Sequence, residues 1–344
     1  NMIYPQNFEQ KIGFDEIRTL LTGHCLSTLG IERVVQMKFL TDLHLLRELQ
    51  EQTREFLRIQ EGEEDFPEQD FYDVRPAIKR IRIEGTYLDE TELFDLKRSL
   101  CTIINIVRFL NKETEEYNDT EERRPADDAS VPYPALRRLT QLVHRIENIL
   151  DKYGKIKDSA SAELLRIRRE LVAAESGISR TLHAILRNAQ QDGVVDKDVT
   201  PTMRDGRLVI PVAPALKRKI KGIVHDESST GRTVFIEPAE VVEANNRIRE
   251  LEGEERREII RILQEFTAEV RPHYQEILQS YEFLAEIDFI HAKAGLAHQF
   301  DATTPDIKGA PLIDWTMARH PLLYLSLTRH GKKIVPLDIE LNGH

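Results

Sequence analysis

An apolar stripe at helical spacing, divided by a short basic segment, most constrains how this chain can fold. Apolar residues step by three and four from Leu136 to Tyr153 and, after an interruption at Gly154, from Leu164 to Ile185, and the same spacing resumes from Ile248 to Ile287. Such a narrow stripe on a highly charged sequence is typical of long helices that pack along one line. The pattern therefore predicts two long antiparallel helices with a small insert at their tip.

Helix signals also dominate the rest of the chain. Charged residues make up 31% of the sequence and aromatic residues 7%, which favours a mainly α protein. Asp89, with Glu92 three residues later, predicts a capping box at a helix start, and Pro272 predicts a break in the returning helix. Residues 113–134 are polar and contain prolines, so we expect a loop there.

Composition excludes several classes of protein. The net charge of −11 argues against a general polyanion binder, so any nucleic-acid contact must come from a local basic patch. Cys25 and Cys101 lie far apart and form no CxxC motif, which favours a reduced, cytoplasmic setting. No apolar run is long enough to span a bilayer. The closing residues 332–344 suggest a strand and a turn, and we expect the chain to be a piece of a longer protein.

The basic segment differs from its helical neighbours. Residues 207–212, 221–224 and 232–236 predict short strands, and residues 225–231 predict the loop of a hairpin. Seven basic residues face three acidic ones between Arg204 and Arg232. Such a patch suits a phosphate backbone, although lysines also protect sheet edges from aggregation, and charge alone leaves both interpretations open. The predicted nucleic-acid contacts are Arg204, Arg207, Lys217, Arg218, Lys219, Lys221 and Arg232.

Other reactive residue types do not form a convincing site. His225, Asp226 and Ser228 contain the residue types of a hydrolase triad, but neighbours on a tight hairpin favour turn hydrogen bonds instead. His291 and His298 have no carboxylate or cysteine at ligand spacing, so we expect packed or surface histidines. We therefore predict no catalytic, cofactor-binding or metal-binding residue.

Two further basic runs lie outside this segment. Arg166, Arg168 and Arg169 are expected on a solvated helix face with partners such as Glu170. The run Lys79, Arg80 and Arg82 is compatible with nucleic-acid contact or with helix capping, and the sequence does not decide between them.

Three consecutive segments carry a family resemblance. MRDGRLVIPV (203–212), GIVHDESSTGRTVFIEP (222–238) and VVEANNRIRELE (241–252) closely resemble the clamp region of the MutS family, in its second bacterial branch. FDEIRTLLTGHCLSTLG (14–30) and GTYLDETELFDL (85–96) resemble the branch's N-terminal and core helices. IDFIHAKAGLAHQFDATTPDI (287–307), followed by MARHPLL (317–323), is similar to the entry of the family's ATPase domain.

The resemblance implies a mainly α fold: a helical core with long antiparallel lever helices, a small β-rich clamp insert, and the first strands of a truncated ATPase domain. The implied parts are a helical core (2–134), first lever helices (135–203), the clamp insert (204–238), a returning lever helix (239–285) and the start of the ATPase domain (286–344).

The resemblance also implies a function for the whole protein. It would be a homodimer that binds branched or duplex DNA, uses ATP and Mg²⁺, and suppresses homologous recombination, with a possible endonuclease module. This chain contains no GxxxxGK[ST] motif, because Gly331–Lys332 lacks the first glycine and the closing Ser or Thr. We therefore expect neither ATP hydrolysis nor DNA cleavage from this region, and no bound cofactor.

The residues leave two alternative functions open. The same branch is linked to ribosome quality control, and a basic tip would suit ribosomal RNA on stalled or collided ribosomes equally well. Alternatively, the long helices are a dimerisation arm whose stripes form an interchain coiled coil, without direct nucleic-acid contact.

Overall fold

The computed structural model describes residues 15–39, 43–60, 65–118, 134–303 and 313–314. The described chain is mainly α-helical and carries a small four-stranded antiparallel sheet, which confirms the predicted fold class. The predictions for residues 332–344 and for strands after Asp314 lie outside the described residues. In the part of the chain that the structure describes, no helix is both long and apolar enough to cross a membrane.

The chain divides into two compact units. Unit 1 combines Asn1–Lys155 with Gln264–His344, and unit 2 is Ile156–Leu263. This division groups both long helices of the predicted arm with the sheet, up to Leu263. The division into core, first lever helices, clamp insert, returning lever helix and start of the ATPase domain stays a prediction.

Unit 1 is built from helices around one central helix. In chain order its elements are α1 (Asp15–His24), α2 (Thr28–Gln36), β1 (Lys38–Phe39), α3 (Leu43–Gln60), α4 (Arg75–Arg80), α5 (Glu90–Asn118), α6 (Pro134–Ile149), α9 (Tyr274–Thr303) and β6 (Ile313–Asp314). Helix α9 contacts α1, α2, α3 and α4. Its side chains are buried on several faces, as Tyr281, Phe283 and Ile290 show. A helix that is apolar on several sides belongs in a core, so α9 is the centre of this unit.

Three local predictions can be checked in unit 1. The capping box forms, because the Glu92 amide donates to Asp89 Oδ1 at 2.7 Å and the Asp89 amide donates to Glu92 Oε1 at 3.1 Å. A 3₁₀ turn at Arg271–His273 interrupts the returning helix, so the break predicted at Pro272 is confirmed. The loop predicted from residue 113 is wrong at its start, because α5 continues to Asn118. Residues 113–116 include strong helix formers, so their polarity does not end the helix.

Unit 2 pairs two long helices and attaches the sheet to them. Helix α7 spans Ala162–Gln191, and α8 spans Ala239–Val270, of which the residues up to Leu263 belong to this unit. Polar contacts between the two helices join Glu170 to Arg247 at 3.0 Å and Arg168 to Glu255 at 3.1 Å. The earlier residue of α7, Arg168, pairs with the later residue of α8, Glu255, so the two helices run antiparallel, as predicted.

Candidate nucleic-acid interface

The sheet of unit 2 contains four antiparallel strands. They are β2 (Thr202–Arg204), β3 (Arg207–Val212), β4 (Gly222–Glu227) and β5 (Val234–Pro238), in the spatial order β2-β3-β5-β4. We call residues 202–238 the sheet module. Its two edge strands, β2 and β4, each pair with a single neighbour.

Strand β2 was not predicted, and the turn that creates it is a recognisable signal. Asp205 and Gly206 both have positive φ, 52° and 76°, and Arg204 pairs directly with Arg207. Two consecutive positive φ angles are the signature of a type I′ turn, for which Asp-Gly is a preferred sequence. The Asp-Gly pair is a signal for the β2–β3 hairpin, but β2 has only three residues, which is too short for its sequence to predict a strand.

One face of the sheet fixes the module to the helices. Ile210, Val212, Val234 and Ile236 are buried, and they pack in one cluster with residues of α7 and α8. The helix partners in that cluster are Ile167, Leu171, Ile178, Leu182, Leu186, Val241, Ile248 and Leu251. The apolar stripe is therefore already covered within a single chain. The interchain coiled-coil alternative would need these same apolar residues to face a second chain, and along this cluster they already pack within one chain.

Six of the seven predicted contact residues are exposed, Arg207 being the exception, and five of the six have no partner among the described residues. Lys217, Arg218 and Lys219 end a 3₁₀ turn, Pro214–Lys219, and Lys221 immediately precedes β4. Arg232 lies in the loop between β4 and β5. No side chain of these five makes a hydrogen bond or ion pair with a residue that the structure describes. We call Lys217, Arg218, Lys219, Lys221 and Arg232 the cation cluster.

Arg204 is partly engaged within the module. Its guanidinium lies over the Phe235 ring, 4.1 Å from the ring centre, and its Nη1 is 3.8 Å from Asp226 Oδ2. The side chain remains 43% exposed. Stacking holds the guanidinium plane while leaving part of it open to a phosphate, so Arg204 has a restricted orientation.

Arg207 points into the module instead. Its Nη1 donates to both carboxylate oxygens of Glu237, at 2.7 and 2.9 Å, and its Nη2 donates to Asn246 Oδ1. The Arg207 side chain is only 12% exposed and that of Glu237 is fully buried. Its predicted phosphate contact stays untested, but this geometry favours a structural role.

Glu237 is the centre of a polar cluster that sequence reasoning missed. Besides Arg207, it accepts a hydrogen bond from Asn245 of α8 at 3.2 Å, and His225 Nε2 of β4 lies 3.3 Å away. A Cβ on Gly222 would collide with the Glu237 backbone, so β4 begins in close contact with β5. The cluster thus joins β3, β4, β5 and α8. Its residues are distant in sequence, so no local spacing reveals it.

The hairpin loop lies further along the chain than the sequence predicts, because β4 continues to Glu227 and β5 begins only at Val234, which leaves residues 228–233 as the loop. The Thr233 amide donates to Ser228 Oγ at 3.1 Å, and the Glu227 amide donates to Asp226 Oδ1 at 2.7 Å. His225 instead faces Glu237. Ser228 therefore makes a turn hydrogen bond as predicted, whereas Asp226 lies in β4, and this trio does not assemble into a hydrolase triad.

Three of the remaining sequence candidates, Arg166, Arg80 and His291, make contacts within their own units. Arg166 contacts Glu163 and Glu170, at 2.5 and 2.7 Å, which confirms its predicted place on a solvated helix face, whereas Arg168 is half-buried and pairs with Glu255 of α8. Arg80 pairs with Glu92 at 2.6 Å, and this hydrogen bond raises the pKa of Arg80. His291 is 3.1 Å from Glu68 and packs beside the aromatic rings of Phe56 and Phe66. Among the described residues, no group of three His, Cys, Asp or Glu side chains is placed to hold a metal ion.

Comparison with known proteins identifies long relatives that cover nearly all of this chain. It is 35% identical to an endonuclease MutS2 of Pelotomaculum thermopropionicum over 334 residues, which is 97% of this chain and 40% of the relative. It is 32% identical to an endonuclease MutS2 of Bacillus velezensis over 98% of this chain and 41% of the relative. A Geobacillus endonuclease MutS2 is 34% identical over 95% of this chain and 40% of the relative. No family model matches the chain. The chain spans about two fifths of the length of these relatives.

Proposed function

The chain belongs to the second bacterial branch of the MutS family, the MutS2 proteins, and from that premise we propose that its sheet module binds the phosphate backbone of branched DNA. The observation that carries this proposal is the cation cluster. Five exposed basic side chains lie on one small module of an acidic protein, with no partner among the described residues.

Surface cations without an ion-pair partner contribute most to the free energy of binding a polyanion. Binding releases the counterions of each neutralised phosphate, and no internal ion pair has to be broken first. The net charge of the chain is −11, so the rest of the surface repels nucleic acid and directs it to the module. Contacts of this kind position a duplex without reading its sequence. We therefore expect binding that depends on DNA structure and on salt.

In the whole protein, we propose that this region serves a homodimeric, ATP-dependent and Mg²⁺-dependent machine in the cytoplasm that restrains homologous recombination. Nucleotide binding and any DNA cleavage would belong to parts of the MutS2 relatives that this chain does not match. Arg207 is assigned a positioning role in this proposal, because Glu237 and Asn246 already occupy its guanidinium. Arg204 and the cation cluster carry the backbone contact.

Fluorescence anisotropy with labelled four-way junction, linear duplex and single strand, across a salt series, tests the proposal. The test variant is Lys217→Glu, Lys219→Glu and Lys221→Glu. The control is Lys152→Glu, Lys155→Glu and Lys197→Glu, which reverses three exposed lysines elsewhere and changes the net charge equally. We expect the test variant to lose roughly ten-fold in affinity or more, with a salt slope smaller by up to about 3.

Equal losses in both triple variants would mean that net charge, rather than the cation cluster, governs binding. Full affinity in the folded test variant would overturn the proposal. Purified ribosomes added as a competitor distinguish the second interpretation. If ribosomes displace the junction at far lower concentration than unlabelled junction does, ribosomal RNA is the better partner for the same cations.

A further inference from the structure

The edge strand β4 exposes two adjacent aliphatic side chains beside the cation cluster. Ile223 is 48% exposed and Val224 is 47% exposed. They directly follow Lys221 and Gly222 in the chain. Edge strands usually carry charged side chains at such positions, because exposed apolar edges promote aggregation. An aliphatic pair there is therefore a feature that electrostatic binding alone does not require.

The two side chains project from opposite sides of one narrow strand. Ile223 pairs with Glu237 and Val224 pairs with Ile236, and successive residues of a strand point to opposite faces. A register shift between Val224 and Asp226 marks a bulge immediately after the pair. At the other end, Gly222 lies against the Glu237 backbone. The pair is thus held on a short, fixed segment and places one aliphatic side chain on each face of the sheet edge, an arrangement that we call the aliphatic ridge.

Charge complementarity indicates what this ridge meets. Lys219 and Lys221 are exposed immediately before it, and they favour a polyanion over an apolar protein surface. In a continuous duplex the base faces are stacked on one another, and an aliphatic ridge gains little there. At a branch point the stack is interrupted, and aliphatic side chains such as isoleucine are known to insert at base steps that are unstacked.

We propose that Ile223 and Val224 contact unstacked bases at a DNA branch and thereby give the sheet module its preference for branched over continuous DNA. This inference rests on the proposed function. The cation cluster supplies affinity for any phosphate backbone. The aliphatic ridge adds a contribution to the binding free energy that does not depend on salt concentration. Specificity at this site therefore comes from apolar contact with exposed bases and not from hydrogen bonds to base edges.

The test compares the four-way junction with a linear duplex of the same length and base composition at one fixed salt concentration. The variant is Ile223→Thr with Val224→Thr, because threonine keeps β-branching and strand preference but adds a hydroxyl. The control is Val172→Thr, which alters an aliphatic side chain of α7 that is 64% exposed. Ile223→Thr alone is included in case the double variant does not fold, and circular dichroism checks each protein.

We expect the junction-to-duplex affinity ratio to fall at least about five-fold in the double variant, with an unchanged salt slope and unchanged duplex affinity. Val172→Thr should keep the wild-type ratio. A wild-type ratio in the folded double variant would overturn the inference while leaving the proposed function intact, and it is the result expected if the ridge serves a protein partner. A wild-type chain that binds both probes equally would also overturn it. Failure of the wild-type chain to bind any probe would reject the proposed function itself.

Discussion

One nitrogen of Arg207 donates to both carboxylate oxygens of the fully buried Glu237, at 2.7 and 2.9 Å. The pair is closed off from solvent on the carboxylate side, and Asn245 donates a further hydrogen bond to Glu237. A buried carboxylate requires such partners, because removal of one partner leaves an uncompensated charge in a poorly polarisable environment. The ion pair thus fixes β3 to the junction between β5 and α8.

We predict that Arg207→Met destabilises the protein by about 3–5 kcal/mol, because Glu237 would then lose its counter-charge. The double variant Arg207→Met with Glu237→Met should be less destabilised than the sum of the two single variants. Urea denaturation measures all three. Arg166→Met is the control, since Arg166 pairs at the surface and is 44% exposed, and its cost should be about 1 kcal/mol or less. Equal costs for Arg207→Met and Arg166→Met would contradict the structural role of the buried pair.

The sequence predicts local structure in this protein better than it predicts the polar cluster. The capping box at Asp89 and Glu92 and the break at Pro272 were predictable because each depends on residues within a few positions. The antiparallel pairing of α7 and α8 followed from spacing alone. Burial of Glu237 could not be predicted, since it depends on partners from three other elements. Nothing in the local sequence distinguishes Glu237 from an exposed glutamate.

The seven predicted contact residues illustrate the same limit. Composition selected Arg204 and Arg207 for the same reason as Lys217, namely their charge within one basic segment. The structure separates them, because Arg207 pairs with the buried carboxylate of Glu237 while Arg204 stacks on Phe235 and stays 43% exposed. Side-chain direction depends on strand pairing, and β2 was not predicted.

A substitution at Gly30 tests the contribution of a second carboxylate, that of Asp288, to stability. Asp288 of α9 accepts hydrogen bonds from the amides of Leu26, Ser27 and Gly30 at the start of α2. A Cβ on Gly30 would lie 2.5 Å from the Asp288 carboxyl carbon. We predict that Gly30→Ala costs about 1–3 kcal/mol, because the carboxylate must move away from the amides that it accepts from.

The matched variant for this prediction is Gly23→Ala. Gly23 also lies in a helix of unit 1, and a Cβ there would meet nothing within 4 Å. That substitution should be neutral or stabilise the protein by up to about 1 kcal/mol. Thermal and urea unfolding of both variants give the comparison. If Gly30→Ala were as stable as Gly23→Ala, the close approach of Asp288 would not matter for stability.

The two cysteines should be poor nucleophiles in the folded protein. Burial, with a smaller contribution from the charge of Asp288, raises the pKa of Cys25 to about 12, and burial also raises the pKa of Cys101. A thiol must ionise before it attacks, so raised pKa values leave very little thiolate at pH 8. We predict that labelling of Cys25 in a Cys101→Ser background is at least roughly 100-fold slower in buffer than in urea. A native rate close to the rate in urea would show that Cys25 is accessible and ionised.

Lys293 gives the chain a specific dependence of stability on pH. Its side chain is buried in α9, its Nζ lies 4.5 Å from the centre of the Phe289 ring, and burial lowers its pKa to about 7 despite the opposing charge of Glu286. An unfolded lysine has a pKa of about 10.4, so between these values the unfolded chain binds a proton that the folded chain does not. Stability contributed by this group therefore rises with pH from about 7 to about 10.

We predict that Lys293→Met removes this rise. The free energy of unfolding of the wild-type chain should increase between pH 7 and pH 9 relative to the variant, by roughly 1 kcal/mol per pH unit. Urea denaturation at pH 7, 8 and 9 measures the difference directly. Lys79→Met, which removes an exposed lysine of the same unit, should leave the wild-type pH profile in place. If Lys293→Met kept the wild-type profile, burial would not hold this amine neutral, and Glu286 would instead keep it charged in the folded protein.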